Sequence, residues 1–357
     1  MSEYNLRYPV SQKSTYKSGD NVEFVLSFPG QSLVGNSIKI SGKLDVYSTG
    51  TTRLVNERVY YDHLCGVHSF INNVVVSTQL KGVIENQTIY PRWVKMKNSA
   101  TKATSQVISD AKCLNQLLCA DYKQTTFLMN QQLPFSIDLD CCFNNVVAGS
   151  AIPYSKTGDV NIAFRVVQAL EALFGEDVNG NVNFTLSDLA CEYITVPVDN
   201  KATTTTMLCS HQIKQIINSV NSVVNVKIPA VVFRVSCSFM KVSEELTMPN
   251  NNTELERPLG VYKLYYTFND NTNTLVSFPI ETQEDMLEHY LDSFVRNDIK
   301  NSATLKKIND NKFFGVGLYF EDFISLDSTA FGVNLLSKVQ SSDPYYIYMY
   351  FKGISEL

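Results

Sequence analysis

Residues 37–47, SIKISGKLDVY, place Ile38, Ile40, Leu44 and Val46 on one side of an extended chain and Lys39, Ser41, Lys43 and Asp45 on the other. Successive side chains of a strand point to opposite faces, so this alternation predicts a strand with one buried and one exposed face. Gly35 in front and Ser48, Thr49 and Gly50 behind supply the turns that bound it. The same period appears upstream at 21–28, where Val22, Phe24, Leu26 and Phe28 alternate with Glu23, Val25 and Ser27. It appears again far downstream at 231–239, where Val231, Phe233, Val235, Cys237 and Phe239 alternate with Val232, Arg234, Ser236 and Ser238.

Working outward, further strands are expected in the first half at 59–61, 68–77, 127–139, 160–166, 182–186 and 190–196. The period changes to helical spacing at Val107, Ile108, Ala111, Leu114, Leu117 and Leu118, and a short helix is expected at 167–174 before Gly175. Residues 199–206, DNKATTTT, have no apolar periodicity and mark the expected boundary. The second half is expected to open with a short helix at Ile213, Ile216, Ile217 and Val220. Strands follow at 262–268, 275–280, 314–324, 331–335 and 345–351. Between them Thr282 and Asp285 resemble a capping box, ahead of the stripe Met286, Leu287, Tyr290, Leu291, Phe294 and Val295.

Many short strands, with long excursions between only some of them, favour jelly rolls over a meander, a barrel or a parallel sheet. The expected fold is all-β with minor helical excursions: two tandem eight-stranded antiparallel jelly-roll β-sandwiches. The N-terminal one is expected over 1–200 with a helical insertion around 98–120, and the C-terminal one over 201–357 with a helix around 282–296.

The 357 residues suit two domains. With 44% hydrophobic and 18% charged residues, the chain has the composition of a well-packed protein and not of a disordered one. The net charge of −5 is spread over interspersed acids and bases, and the only basic side chains in residues 1–20 are Arg7, Lys13 and Lys17. A chain that grips nucleic acid directly needs a cationic arm to neutralise phosphates, so no direct nucleic-acid binding is expected. Apolar runs such as 228–235, itself interrupted by Arg234, fall short of the ~20 residues of a membrane helix. No transmembrane segment is expected, nor is a signal peptide at the polar N-terminus. The eight cysteines, at 65, 113, 119, 141, 142, 191, 209 and 237, lack framework spacing and read as reduced thiols in a cytosolic or nuclear compartment.

Candidate chemistry is sparse. His63, Cys65 and His68, with Cys141 and Cys142, suggest zinc, but a structural site shows paired ligands in both halves, and adjacent cysteines on a strand point to opposite faces. The four histidines (63, 68, 211 and 289) do not form the His pair plus Glu of a metal-dependent cupin. Asp177, Asn179, Asn181 and Asp188 fall at calcium-loop positions, yet Val182 stands where that loop needs Gly, and 177–181 reads better as a hairpin turn. Gly315 and Gly317 alternate in a strand without the Lys or helix of a phosphate cradle. Asp138 and Asp140 on one strand face have acid–base character only if a pocket holds them. Tyr345, Tyr346, Tyr348 and Tyr350 offer rings that either stack ligands or pack against a neighbouring sheet or subunit. The sequons at Asn86, Asn183 and Asn251 carry no meaning without a secretory route. No catalytic, cofactor-binding or metal-binding residue is assigned, no cofactor is expected, and the chain is not read as an enzyme.

Four stretches carry a family resemblance: PVSQKSTYKSGDNVEFVL (9–26), YDHLCGVHSFINNVVVS (61–77), FFGVGLYFEDFISL (313–326) and TAFGVNLLSKVQSSDPYYIYMYFKGI (329–354). In the order of these elements the chain resembles double jelly-roll major capsid proteins of the adenovirus and tectivirus lineage, including virophages and Polinton-like elements. The resemblance implies a homotrimer whose six sandwiches approximate a hexagon, contacts with neighbouring capsomers and with minor capsid or penton proteins, and genome contact left to other proteins or an internal membrane. It implies a place in the virion shell after assembly in the host cytoplasm or nucleus, and the modest length implies reduced external towers. The expected function is therefore structural. The alternative is a two-domain β-sandwich carbohydrate-binding or viral attachment protein using outer loops and exposed tyrosines.

Overall fold

The computed structural model describes residues 2–48, 62, 64–102, 132–146, 149–173, 182–198, 206–217, 221–227, 231–244, 261–269, 274–293, 316–325, 330–337 and 344–357. The first half contains β1 (Glu3–Arg7), β2 (Thr15–Tyr16), β3 (Asn21–Leu26), β4 (Gln31–Val34), β5 (Lys39–Ser48), β6 (Ile71–Thr78), β7 (Gly82–Gln87), α1 (Tyr90–Thr101), β8 (Leu133–Asp138), β9 (Ala151–Pro153), β10 (Val160–Val166) and β11 (Val182–Pro197). The second contains β12 (Thr206–Ile217), β13 (Asn221–Val226), β14 (Val231–Lys241), β15 (Val261–Asn269), β16 (Thr274–Ile280), α2 (Gln283–Asp292), β17 (Val316–Ser325), β18 (Ala330–Ser337) and β19 (Tyr345–Glu356).

These strands form three sheets. One runs β8-β5-β11-β4-β9, with β1 and β2 also on β11; one runs β17-β14-β19-β12-β7-β6-β10-β3; the third runs β13-β18-β15-β16. Sheet neighbours are mostly distant in sequence, such as β3 with β10 and β5 with β11, which is the wiring of a rolled-up sandwich and not of a meander. The eight-stranded sheet serves both halves. Its β7-β6-β10-β3 end faces the first sheet, and its β17-β14-β19-β12 end belongs to the same half of the chain as the third sheet.

The alternation read from the sequence is the alternation of burial. Val22, Phe24 and Leu26 of β3 are buried while Asn21, Glu23 and Val25 are exposed, and Ile40, Leu44 and Val46 of β5 are buried. Phe24 sits opposite Ile162 of β10 and tilts against Phe164 at 6.2 Å between ring centroids. Phe70 crosses the sandwich to meet Phe184 of β11 edge-on at 4.5 Å. Each such ring contributes about 1.5–3 kcal/mol through the apolar area it removes from water.

One expectation needs correction. The segment with Ile213, Ile216 and Ile217 is strand β12, paired with β19 residue for residue from Thr206 opposite Glu356 to Ile217 opposite Tyr345. The helical spacing misled because Ile216 is not a core position at all, being 48% exposed. Residues 103–120, which hold the apolar stripe of the helix expected around 98–120, lie outside the described residues; ahead of them stands a helix that the sequence reading does not contain, α1, which begins at Tyr90. Its start carries no apolar stripe because α1 is buried on more than one face, with Tyr90, Trp93 and Met96 buried alongside Arg92, Asn98 and Ser99. The capping box at Thr282 is present and reciprocal, opening α2. The expected strand at 59–61 and nearly all of the boundary segment, 199–205, lie outside the described residues.

Replacing Phe24 by Ala is expected to cost about 3–5 kcal/mol of unfolding free energy, whereas Val25→Ala next to it should cost under about 1 kcal/mol. Urea denaturation followed by tyrosine and tryptophan fluorescence measures both, and equal losses would contradict the assigned faces.

Candidate functional site

β7 and β12 meet in a parallel pairing at Asn86 opposite His211, the only parallel pairing among the described strands. So brief a backbone contact cannot by itself hold two sandwiches in register. The side chains around it supply the rest. The buried carboxylate of Glu85 on β7 accepts the backbone N–H of Ser210 on β12 at 2.7 Å and that of Cys142 at 2.6 Å. Lys352 of β19, also buried, donates from Nζ to Ser210 Oγ at 2.8 Å. Burial pushes the Glu85 carboxyl up, and Lys352 together with the two N–H donors opposes that.

α1 closes the joint from one side. Ile89 precedes it in the left-handed region at φ 50°, and Pro91 stands in the first turn, where a missing N–H costs nothing. From α1, Arg92 Nη1 donates to the carbonyl of Phe239 at 3.0 Å, and its guanidinium carbon lies 5.1 Å from the Tyr348 ring centroid. The Trp93 ring packs on Tyr350 at 5.5 Å and lies 5.5 Å from Lys352 Nζ, while its Nε1–H donates to Asp140 Oδ2 at 2.6 Å. Tyr290 of α2 donates to the carbonyl of Met96 at 2.7 Å. A helix that leaves the first half thus packs on β14, β19 and α2 of the second.

Asp140 collects Lys97 at 3.1 Å and Asn145 Nδ2 at 2.9 Å in addition to Trp93. Burial alone would raise its carboxyl, but Lys97, Lys352 and the hydrogen bonds hold it well below the usual carboxylate range. Its backbone N–H donates to Tyr90 Oη at 2.9 Å, and Tyr90 Oη lies 3.0 Å from His68 Nδ1. Burial, with Lys102 and Lys97 nearby, pushes His68 down to about 3, so the ring that shares a hydrogen bond with the tyrosine is neutral at ordinary pH.

The residues singled out by sequence are not gathered into a reaction centre. Cys65 is buried and its thiol donates to the Pro91 carbonyl at 3.2 Å, His68 serves Tyr90, and His63 lies outside the described residues. Among the described residues no group of three or more His, Cys, Asp or Glu side chains is placed to hold a metal ion. Asp188 pairs with Lys43 at 2.7 Å, and 177–181 lies outside the described residues. Asp138 is exposed beside Lys39 at 3.6 Å while Asp140 is buried in the joint, so the two do not form the strand-face pair that their spacing suggested. Gly317 on β17 lies where a Cβ would collide with Ser293 just after α2, which is a packing role. Tyr345, Tyr348 and Tyr350 are buried. Glu85, Arg92, Trp93 and Lys352 were missed by sequence reasoning; isolated charges inside apolar runs, as at Lys352 in YMYFKGI, are the signal that was there to find.

A second feature is at the surface. Among the described strands β1 pairs with β11 alone, and Tyr4, Leu6, Tyr8 and Val10 leave apolar side chains 40–65% exposed along one short segment. Leu6 and Tyr8 also line an open groove of about 670 Å³ with Lys13, Asp188 and Glu192.

No protein-family model matches this chain, and no curated protein matches it in sequence. Solved structures do. The chain is similar to the Faustovirus major capsid protein, with a TM-score of 0.64 at 10% identity, covering 100% of this chain and 90% of that one. It is similar to VP54 of PBCV-1, solved as a crystal structure fitted into a reconstruction of the virophage Sputnik, with a TM-score of 0.63 at 10% identity over 99% of this chain and 94% of that one. A chain of the Sputnik virophage matches with a TM-score of 0.57 at 11% identity, covering 99% and 86%. The fold is the double jelly roll.

Two outcomes test the joint. Removing the Glu85 carboxylate as Glu85→Ala strands two buried N–H groups beside Lys352, and should cost about 3–5 kcal/mol in a denaturant titration; an unchanged midpoint would contradict the bridge. Because His68 is depressed from its ordinary 6.5 to about 3, the unfolded chain takes up a proton that the folded chain refuses in that window. Stability should therefore be full above pH 6.5 and fall as pH drops towards 3, and His68→Gln should flatten that slope by one proton when the denaturation midpoint is followed against pH.

Proposed function

We propose that this chain is the major capsid protein of an icosahedral DNA virus, assembling as a homotrimer with a pseudo-hexagonal outline. The observation that carries the reading is the full-length match of a double jelly roll to viral capsid proteins, with both sandwiches present and joined. Geometry explains why this architecture makes a shell. Two similar sandwiches in one chain become six in a trimer, and six near-equivalent lobes fill a sixfold position in a closed surface.

We place the division between the two sandwiches at residues 200 and 201. A joint built from buried ionic and aromatic contacts suits a subunit that must present both lobes at a fixed angle to its neighbours. Interspersed surface charge lets identical subunits meet without mutual repulsion, and repeated weak contacts then sum to a stable shell. The chain is in this reading a component of the virion; neighbouring capsomers and minor capsid or penton proteins are its partners, and no catalytic residue is assigned. The carbohydrate-binding alternative is not favoured, because the tyrosines of β19 on which it leaned are largely buried.

Size-exclusion chromatography with light scattering tests the proposal: purified protein should elute with the mass of three chains and show a hexagonal outline in negative stain. A stable monomer across micromolar concentrations would overturn it.

A further inference from the structure

Cys142 and Cys209 belong to opposite sides of the joint, one in the short helical turn Cys142–Asn144 of the first half and one on β12 of the second. Both are buried free thiols, and burial together with the neighbouring Cys209 side chain pushes the Cys142 thiol up. The backbones that carry them are held together independently: Glu85 accepts the N–H of Cys142 and of Ser210, the residue after Cys209, and the Leu208 N–H donates to the Asn145 carbonyl at 3.1 Å. Of the vicinal pair at 141 and 142, Cys142 is the one whose thiol is influenced by Cys209 of the second half.

We propose that Cys142 and Cys209 form a disulfide that locks the two sandwiches together when the folded protein meets a small-molecule disulfide of the oxidised glutathione class. One cysteine thiolate attacks the oxidant's S–S bond, forming a mixed disulfide and releasing one reduced thiol. The other thiolate then attacks the mixed disulfide at the protein sulfur, forming the Cys142–Cys209 bond and releasing the second reduced thiol. The protein loses two electrons to the oxidant, and the two cysteine protons end on the two released thiols.

Both thiols are fully buried, so the oxidant reaches them only when the joint opens locally, and burial pushes the Cys142 thiol well above its ordinary value, so the thiolate is scarce and the reaction is slow at neutral pH. That suits a bond absent during folding in a reducing cell and made later in an oxidising medium. The timing rests on the capsid reading; the bond itself rests only on the contact within one chain. Cross-linking positions so far apart in sequence restrains the unfolded chain strongly.

The test uses full-length protein purified in reductant, then held folded in oxidised glutathione at about pH 8.5, near the ordinary thiol value. After denaturation and alkylation, mass spectrometry of the digest should find the Cys142–Cys209 linked peptide, absent from Cys209→Ser and removed by reductant. Cys65, Cys191 and Cys237 should be recovered alkylated. The linked protein should melt on the order of 5–10 °C above the reduced protein. Recovery of Cys142 and Cys209 as free thiols, as stable glutathione adducts, or linked to other cysteines would overturn the assignment, and a linked form that melts no higher would overturn the lock. The peptide readout does not depend on oligomeric state, so its failure is distinct from failure of the capsid reading.

Discussion

A buried carboxylate that must find donors organises this molecule. Glu85 lies in β7, inside the long sheet where water is excluded, and a carboxylate there is tolerable only with its oxygens filled. The donors come from elsewhere in the chain: one from the turn at Cys142 and one from β12, with the Lys352 ammonium behind Ser210. Once those are met, β12 is set beside β7, β19 follows β12 through its twelve-residue register, and β14 follows β19. A single sheet then runs through both sandwiches.

The cost of burying so many ionic groups is offset by mutual satisfaction and by α1. Arg92 and Lys352 lie near aromatic faces, Asp140 accepts from Trp93, Lys97 and Asn145, and Tyr90 links Asp140 to His68. Replacing such a network with apolar residues can match its stability, but directional bonds select one arrangement of the two lobes where a greasy contact would accept several. In a subunit whose proposed work is to repeat one shape across a shell, that selectivity has an evident use.

The sandwich halves were legible because their strands bury one face: 21–28, 37–47 and 160–166 carry their burial in their period. The joint was not legible for the converse reason. α1, β14 and β19 are covered on more than one side, so Arg92, Ser236, Ser238 and Lys352 sit inside apolar surroundings and erase the period that a one-sided element shows. β12 misled in a third way, since its isoleucines near the C-terminal end happen to stand at helical spacing while their partners on β19 dictate a strand. Contacts set by residues more than a hundred positions away leave no local pattern to find.

Hydrogen exchange read by mass spectrometry tests the central claim most directly. If the Glu85 bridge holds the two sandwiches as one unit, the amides of Cys142 and Ser210 should exchange at rates close to those in the middle of β10 and β19. Exchange of these two amides well before either core would show that the lobes part freely, and would contradict the account.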